Sequence, residues 1–197
     1  MKTALLLTCT LLLASCQTQQ KPHHSENNWH LDTLESQISF ISTKNQTTSE
    51  SHTMTFQQGE IINLSEVELV LDLNTVNTQI EIRDQRLKSL LFETEKYPTA
   101  HITSTLPQSL TLGETAEVEL LLNLHGHKRN ISARVFTQLV GEELVVTNFN
   151  PITVQAKDFN LDTGINKLTQ VAKLKAISYE VPVDFKLVFN KIKSTNH

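Results

Sequence analysis

The chain is short of cysteine, of glycine and proline, of aromatics and of net positive charge. Only Cys9 and Cys16 occur, both near the start. That excludes a disulfide framework and a cysteine-based zinc site over the rest of the sequence. Five glycines and five prolines in 197 residues exclude collagen-like and low-complexity chains. Seventeen basic residues stand against 21 acidic ones, a net charge of −4, so no positive field is available to hold nucleic acid. Aromatics make up 6% of the chain, with a single Trp. No apolar run reaches the roughly 20 residues that a membrane-spanning helix needs. No G-x-S-x-G elbow, H-E-x-x-H pair or phosphate-binding glycine loop is present. No catalytic residue, no metal ligand set and no cofactor is therefore expected.

What is present begins with an address. Lys2 is followed by an apolar run from Ala4 to Ala14, interrupted by Thr8, Cys9 and Thr10. That is the length of a secretory signal core. It ends in Leu13-Ala14-Ser15-Cys16, which resembles the lipobox of bacterial lipoproteins. The resemblance implies a signal peptide over 1–15 and a lipid anchor on Cys16. Several acyl chains hold a domain on a membrane far better than one. Gln17 follows, not the Asp that retains many lipoproteins at the inner membrane, so the periplasmic face of the outer membrane is the expected location. Residues 16–28 are polar and without periodicity and read as a flexible tether. His23 and His24 belong to that solvated stretch.

From residue 29 the pattern is of strands. Val67, Leu69, Leu71 and Leu73 alternate with Glu66, Glu68 and Asp72, which gives one apolar and one polar face. Val118, Leu120, Leu122 and Leu124 repeat the arrangement. So do Ile131, Ala133, Val135 and Leu139 after a short connection at 125–128, and Val181 to Phe189 near the end. Weaker strand signals cover 37–43, 52–57, 100–105 and 144–156. Gly59, Gly113 and Gly141 read as turns; Pro107 ends a strand and Pro151 marks a break. About eight antiparallel strands, each with one apolar face, demand a single interior, so a barrel or a sandwich.

Two segments switch to helical period. Thr78-Gln-Ile-Glu81 is a capping-box pattern, with Leu87, Leu90 and Leu91 on one stripe behind it. A second helix follows Asp162 or Thr163 as N-cap, with Ile165, Leu168, Val171 and Ala172 on its stripe.

The order of these pieces resembles the YceI family, bacterial periplasmic or secreted domains with a lipocalin-like barrel. The matching stretches are Trp29-His30-Leu31-Asp32, His52-x-x-x-Phe56, Leu73-Asn74-Thr75-Val76-Asn77-Thr78, Arg83-Asp84-x-x-Leu87, Tyr97-Pro98 and His125-Gly126-His127-Lys128, closed by Val181-Pro182-Val183-Asp184-Phe185-Lys186-Leu187. The resemblance spans 29–190, with 191–197 left as a tail. It departs from the family pattern at Leu91-Phe92, Ile102 and Gly59, swaps that would reshape an apolar pocket.

The resemblance implies an all-β, lipocalin-like antiparallel barrel with two short helices, and an interior that binds a polyisoprenoid or long-chain amphiphile. The residues alone leave a dry packed core equally open. The candidate cavity residues are Phe40, Phe56, Val67, Leu69, Leu71, Leu73, Val118, Leu120, Leu122 and Leu124. Arg83 and Arg86 are candidates to meet a head group. His125 and His127, two apart around Gly126, read as turn residues facing water, and His52 as a hydrogen-bonded structural histidine. The expected function is non-enzymatic lipid carriage at the envelope. The alternative is an envelope stress or scaffold domain acting through its surface. Oligomeric state is left open.

Overall fold

The computed structural model describes residues 28–192. The signal segment, Cys16, His23, His24 and His197 lie outside those residues. The elements run β1 (Trp29–Leu31), β2 (Gln37–Lys44), β3 (Thr48–Ile62), β4 (Glu66–Asn77), α1 (Glu81–Arg86), a π-helical turn (Leu87–Phe92), β5 (Thr99–Thr105), β6 (Thr115–Leu124), β7 (His127–Val140), β8 (Glu143–Asn148), β9 (Ile152–Gln155), a 3-10 turn (Ala156–Phe159), α2 (Asp162–Val171) and β10 (Glu180–Lys191).

Neighbouring strands are antiparallel throughout. β10 and β2 through β8 follow one another, and β8 pairs back onto β10, so eight strands close a ring. Closure removes the open edges that an eight-stranded sheet would otherwise present. β1 lies across β10 and β3, and β9 extends the pairing of β10. The weak 144–156 signal therefore splits at Pro151 into β8 and β9, because both run along β10 in succession.

The alternating residues point where their pattern sends them. Leu69, Leu71 and Leu73 are buried on β4, Val118 and Leu124 on β6, and Ala133 and Val135 on β7. Leu139 does not follow: it is half exposed, at the outer end of β7. Gly59 is not a turn residue. It lies within β3 beyond a register shift between Phe56 and Gln58. That bulge moves the inward face from His52, Met54 and Phe56 to Gly59 and Ile61. A Cβ at Gly59 would stand 2.6 Å from a Leu69 methyl.

Two ends can be told apart. The helical end carries α1, α2, the β2–β3 turn and the β6–β7 turn. The opposite rim carries the β3–β4 turn, the 106–114 loop and the β7–β8 turn. The predicted capping box does not form. The Thr78 hydroxyl and amide both donate to Asp84 Oδ1, at 2.6 and 2.8 Å, so Asp84 takes the place of Glu81 three residues later. Neither Asp162 nor Thr163 caps α2, which starts after Leu161 without a side-chain cap. Its buried stripe is Gly164, Ile165 and Leu168, while Val171 and Ala172 face out.

Candidate functional site

A cavity of about 230 Å³ occupies the barrel interior. All ten residues that the sequence marks as cavity candidates line it: Phe40, Phe56, Val67, Leu69, Leu71, Leu73, Val118, Leu120, Leu122 and Leu124. Their strands bring them together because each contributes its inward face to one closed ring. Leu120 and Leu122 are only half buried although they face the interior. They pack against the core on one side and border the cavity on the other.

Ser104 and Thr137 are the two hydroxyl residues in the lining. The Ser104 hydroxyl donates to the Glu119 carbonyl at 2.8 Å, and that of Thr137 to the Thr111 carbonyl at 3.4 Å. Both are turned into the wall, and the cavity surface carries no polar atom. A void of this kind stays dry and takes apolar guests. An engineered apolar cavity of about 150 Å³ binds one benzene. By proportion the present one holds roughly nine carbon atoms.

Other lining residues were not among the candidates. Val181, Val183 and Phe185 of β10 face the cavity, as do Ile38 of β2 and Met54 of β3. Their period-2 pattern was legible. Leu106 and Leu110 of the rim loop, and Leu91, Phe92, Leu161 and Ile165 at the helical end, also line it. Loop and helix residues carry no strand alternation, so no such signal marks them as lining.

Arg83 and Arg86 are not equivalent. The Arg83 guanidinium donates to Glu50 Oε2, which also accepts from Lys44. Arg83 is thus already neutralised in part. Arg86 makes no such pair among the described residues. The same carboxylate lies 3.9 Å from Nε2 of His52. His52 is 4% exposed, hydrogen-bonded through Nε2 to the Ser42 hydroxyl at 3.1 Å and edge-on to Phe40. Its Nδ1 is buried without a partner.

This cluster is expected to make the protein acid-sensitive in two steps. Burial, reinforced by Arg83, lowers the His52 pKa below its ordinary 6.5, against the opposing pull of Glu50. The unfolded chain then binds that proton more readily than the folded one. His52 withdraws stability as pH falls through 6.5 towards the lower folded value, and has no such effect well above 6.5. The hydrogen bond from Lys44, with the charges of Lys44 and Arg83, lowers the Glu50 pKa from 4.5. Glu50 contributes stability above 4.5 and loses it as pH falls through its folded pKa. Melting temperature is expected to drop between about pH 8 and about pH 5.5. His52→Gln is expected to flatten that upper part of the profile. An unchanged slope would show that His52 does not titrate differently on folding.

His125 departs from expectation. Instead of facing water it packs on Tyr97, ring centroids 4.3 Å apart, with Glu93 Oε2 3.3 Å from Nε2. His127 shares a 2.9 Å hydrogen bond with Asn160.

A model of the YceI-like domain matches residues 29–189. No curated protein matches the chain. Among solved structures, a polyisoprenoid binding domain from Saccharophagus degradans, implicated in plant cell wall breakdown, is 34% identical. That alignment covers 83% of this chain and 98% of that one, with a TM-score of 0.77. BcnA from Burkholderia cenocepacia is 17% identical over 80% of this chain and 98% of its own, with a TM-score of 0.62. The YCEI protein of Campylobacter jejuni is 14% identical over 78% and 85%, with a TM-score of 0.50. With 161 consecutive residues matched by one domain model over a closed barrel of antiparallel strands, the chain belongs to the YceI-like family.

Proposed function

We propose that the protein binds a long-chain isoprenoid-like or acyl amphiphile in its barrel and carries or sequesters it at the bacterial envelope, without covalent chemistry. The observation that carries this reading is the cavity wall: its surface is wholly apolar, so a hydrocarbon tail can fill it without burying an unpartnered polar group. The polyisoprenoid-binding relative, at 34% identity, supports the same ligand class. The lipobox-like Leu13–Cys16 supports attachment to a membrane by acylation of Cys16, with residues 16–28 as the tether.

Magnitudes set the form of binding. Burying roughly nine methylene-sized groups yields about 7 kcal/mol at about 0.8 kcal/mol each. That corresponds to micromolar affinity before the cost of ordering the tail. A tight complex therefore needs a longer buried segment, gained by rotation of the lining leucines and by extension of the tail through an end of the barrel.

The test is to purify the full chain from a bacterial envelope, record native mass spectra and extract what the protein holds. A stoichiometric long-chain species is the expected result. A clean apo mass, with no uptake of added polyprenyl or acyl ligands, would overturn the carrier reading and leave a scaffold that acts through its surface.

A further inference from the structure

We propose that the rim of the barrel, opposite the helices, is a docking face for a lipid bilayer. The inference rests on the acylation of Cys16 put forward above. It adds which end of the molecule meets the membrane.

The rim is where the chain comes in. Asn28 accepts the Asn63 amide through its side chain, at 2.8 Å, and the Ile192 amide through its carbonyl, at 3.0 Å. The described chain therefore begins beside the β3–β4 turn. Beside that entry point stands Leu64, 52% exposed. It occupies the second central position of a tight turn closed by Ser65 N–H to Ile62 C=O, with φ of 52° at Asn63 and 55° at Leu64. Glycine is the residue such a turn prefers. A leucine there accepts backbone strain and still projects into solvent. Leu112, Leu139 and Val140 are about half exposed at the same end.

The tether favours one end: fully stretched it reaches about 40 Å, but stretching it costs chain entropy. As a coil, the stretch from Cys16 to Asn28 averages about 20 Å. β10 has 12 residues, about 40 Å along the strand and about 30 Å along a barrel axis at the usual tilt. Placing the helices on the bilayer would pull the tether along the full wall. Placing the rim there leaves slack. The helical end also presents Ile80 and Ile82 to solvent, so it is the orientation to test against.

The rim joins the surface to the cavity. Leu112 is exposed, while Leu106 and Leu110 of the same loop line the interior. A tail can pass from bilayer to barrel beneath this loop, with its head group left at the interface. Glu114, Glu142 and Glu143 lie at the rim against Lys191 at the end of β10, so docking there is apolar and not a charge attraction.

Trp29, the single tryptophan, pairs with Ile61 just before the β3–β4 turn. It reports from the rim. The full, acylated chain is reconstituted into phosphatidylethanolamine–phosphatidylglycerol vesicles whose acyl chains carry bromine, and Trp29 emission is read. Several-fold quenching is expected, unchanged at about 1 M salt, where screening acts within about 3 Å. Leu64→Asp with Leu112→Asp and Leu139→Asp, all at exposed positions, should restore most of the emission. Ile80→Asp with Ile82→Asp should not. Absent quenching in acylated protein, or quenching that only the helical pair relieves, overturns the proposal. Intact mass separates the two readings. A chain without acyl groups refutes the anchor; its vesicle quenching then supports the rim face if present and overturns it if absent.

Discussion

Leu122→Trp is expected to empty the barrel of lipid while leaving it folded. Leu122 faces the cavity from β6 and is paired with the inward Ile102 of β5. An indole in place of the isobutyl group adds about one benzene ring's worth of atoms, and a benzene needs about 150 Å³. The cavity has about 230 Å³. The long-chain species recovered by extraction should therefore fall at least tenfold. Stability tells a filled cavity from a crowded core. Overpacking a dense interior costs about 1–3 kcal/mol, a loss of about 2–12 °C in a domain of this size. An indole entering empty space gains contacts, and the melting temperature should hold or rise. Leu71→Trp approaches from β4, beside the small and fully buried Ala100, and should act the same way. Undiminished lipid in a folded Leu122→Trp variant would show that the ligand lies elsewhere.

The ring of strands was legible because period-2 alternation is a local signal that burial obeys. Val67 to Leu73 and Val118 to Leu124 needed no information beyond their own sequence to find the interior. What escaped was whatever breaks the period. A register shift in β3 flips the inward face between Phe56 and Gly59, so a glycine inside a long strand looks like a turn. β4 has a similar shift, with Leu73 and then Val76 inward. There the Asp72 carbonyl accepts the Thr75 hydroxyl, and its carboxylate the Asn74 amide. The capping box failed for a related reason. Thr78 satisfied the pattern with Glu81, but an aspartate one turn further on reached it first. The cavity candidates were readable as faces. The empty space between those faces was not, because it is the difference between the barrel's girth and the summed bulk of some three dozen side chains.

The helical end poses the opposite packing problem to the cavity, and Gly164→Ala should expose it. Gly164 is buried on α2, where the helix crosses the π-helical turn. A Cβ placed there would stand 2.5 Å from the Leu90 carbonyl oxygen and 2.8 Å from the Leu91 Cα, closer than the 3.0 Å that real Cβ atoms respect. Both neighbours are backbone, so no side-chain rotation relieves the contact and the two elements must separate. An ordinary helical glycine would behave in the reverse manner, since alanine favours a helix by about 1 kcal/mol. Overpacking against unyielding atoms costs up to about 3 kcal/mol. The net expectation is a loss of about 2 kcal/mol, or about 4–8 °C. The comparison is Gly59→Ala, whose Cβ would meet the methyl ends of Leu69 and Leu31. Leu69 borders the cavity and can turn into it, so that variant should lose less. A rise in melting temperature for Gly164→Ala would mean that α2 rests loosely on the barrel. A fall would carry a consequence for the ligand as well. Leu161 and Ile165 of this region line the cavity opposite Leu91 and Phe92, so prising the elements apart opens the far end of the barrel. Bound lipid should then exchange faster from Gly164→Ala than from the unaltered protein.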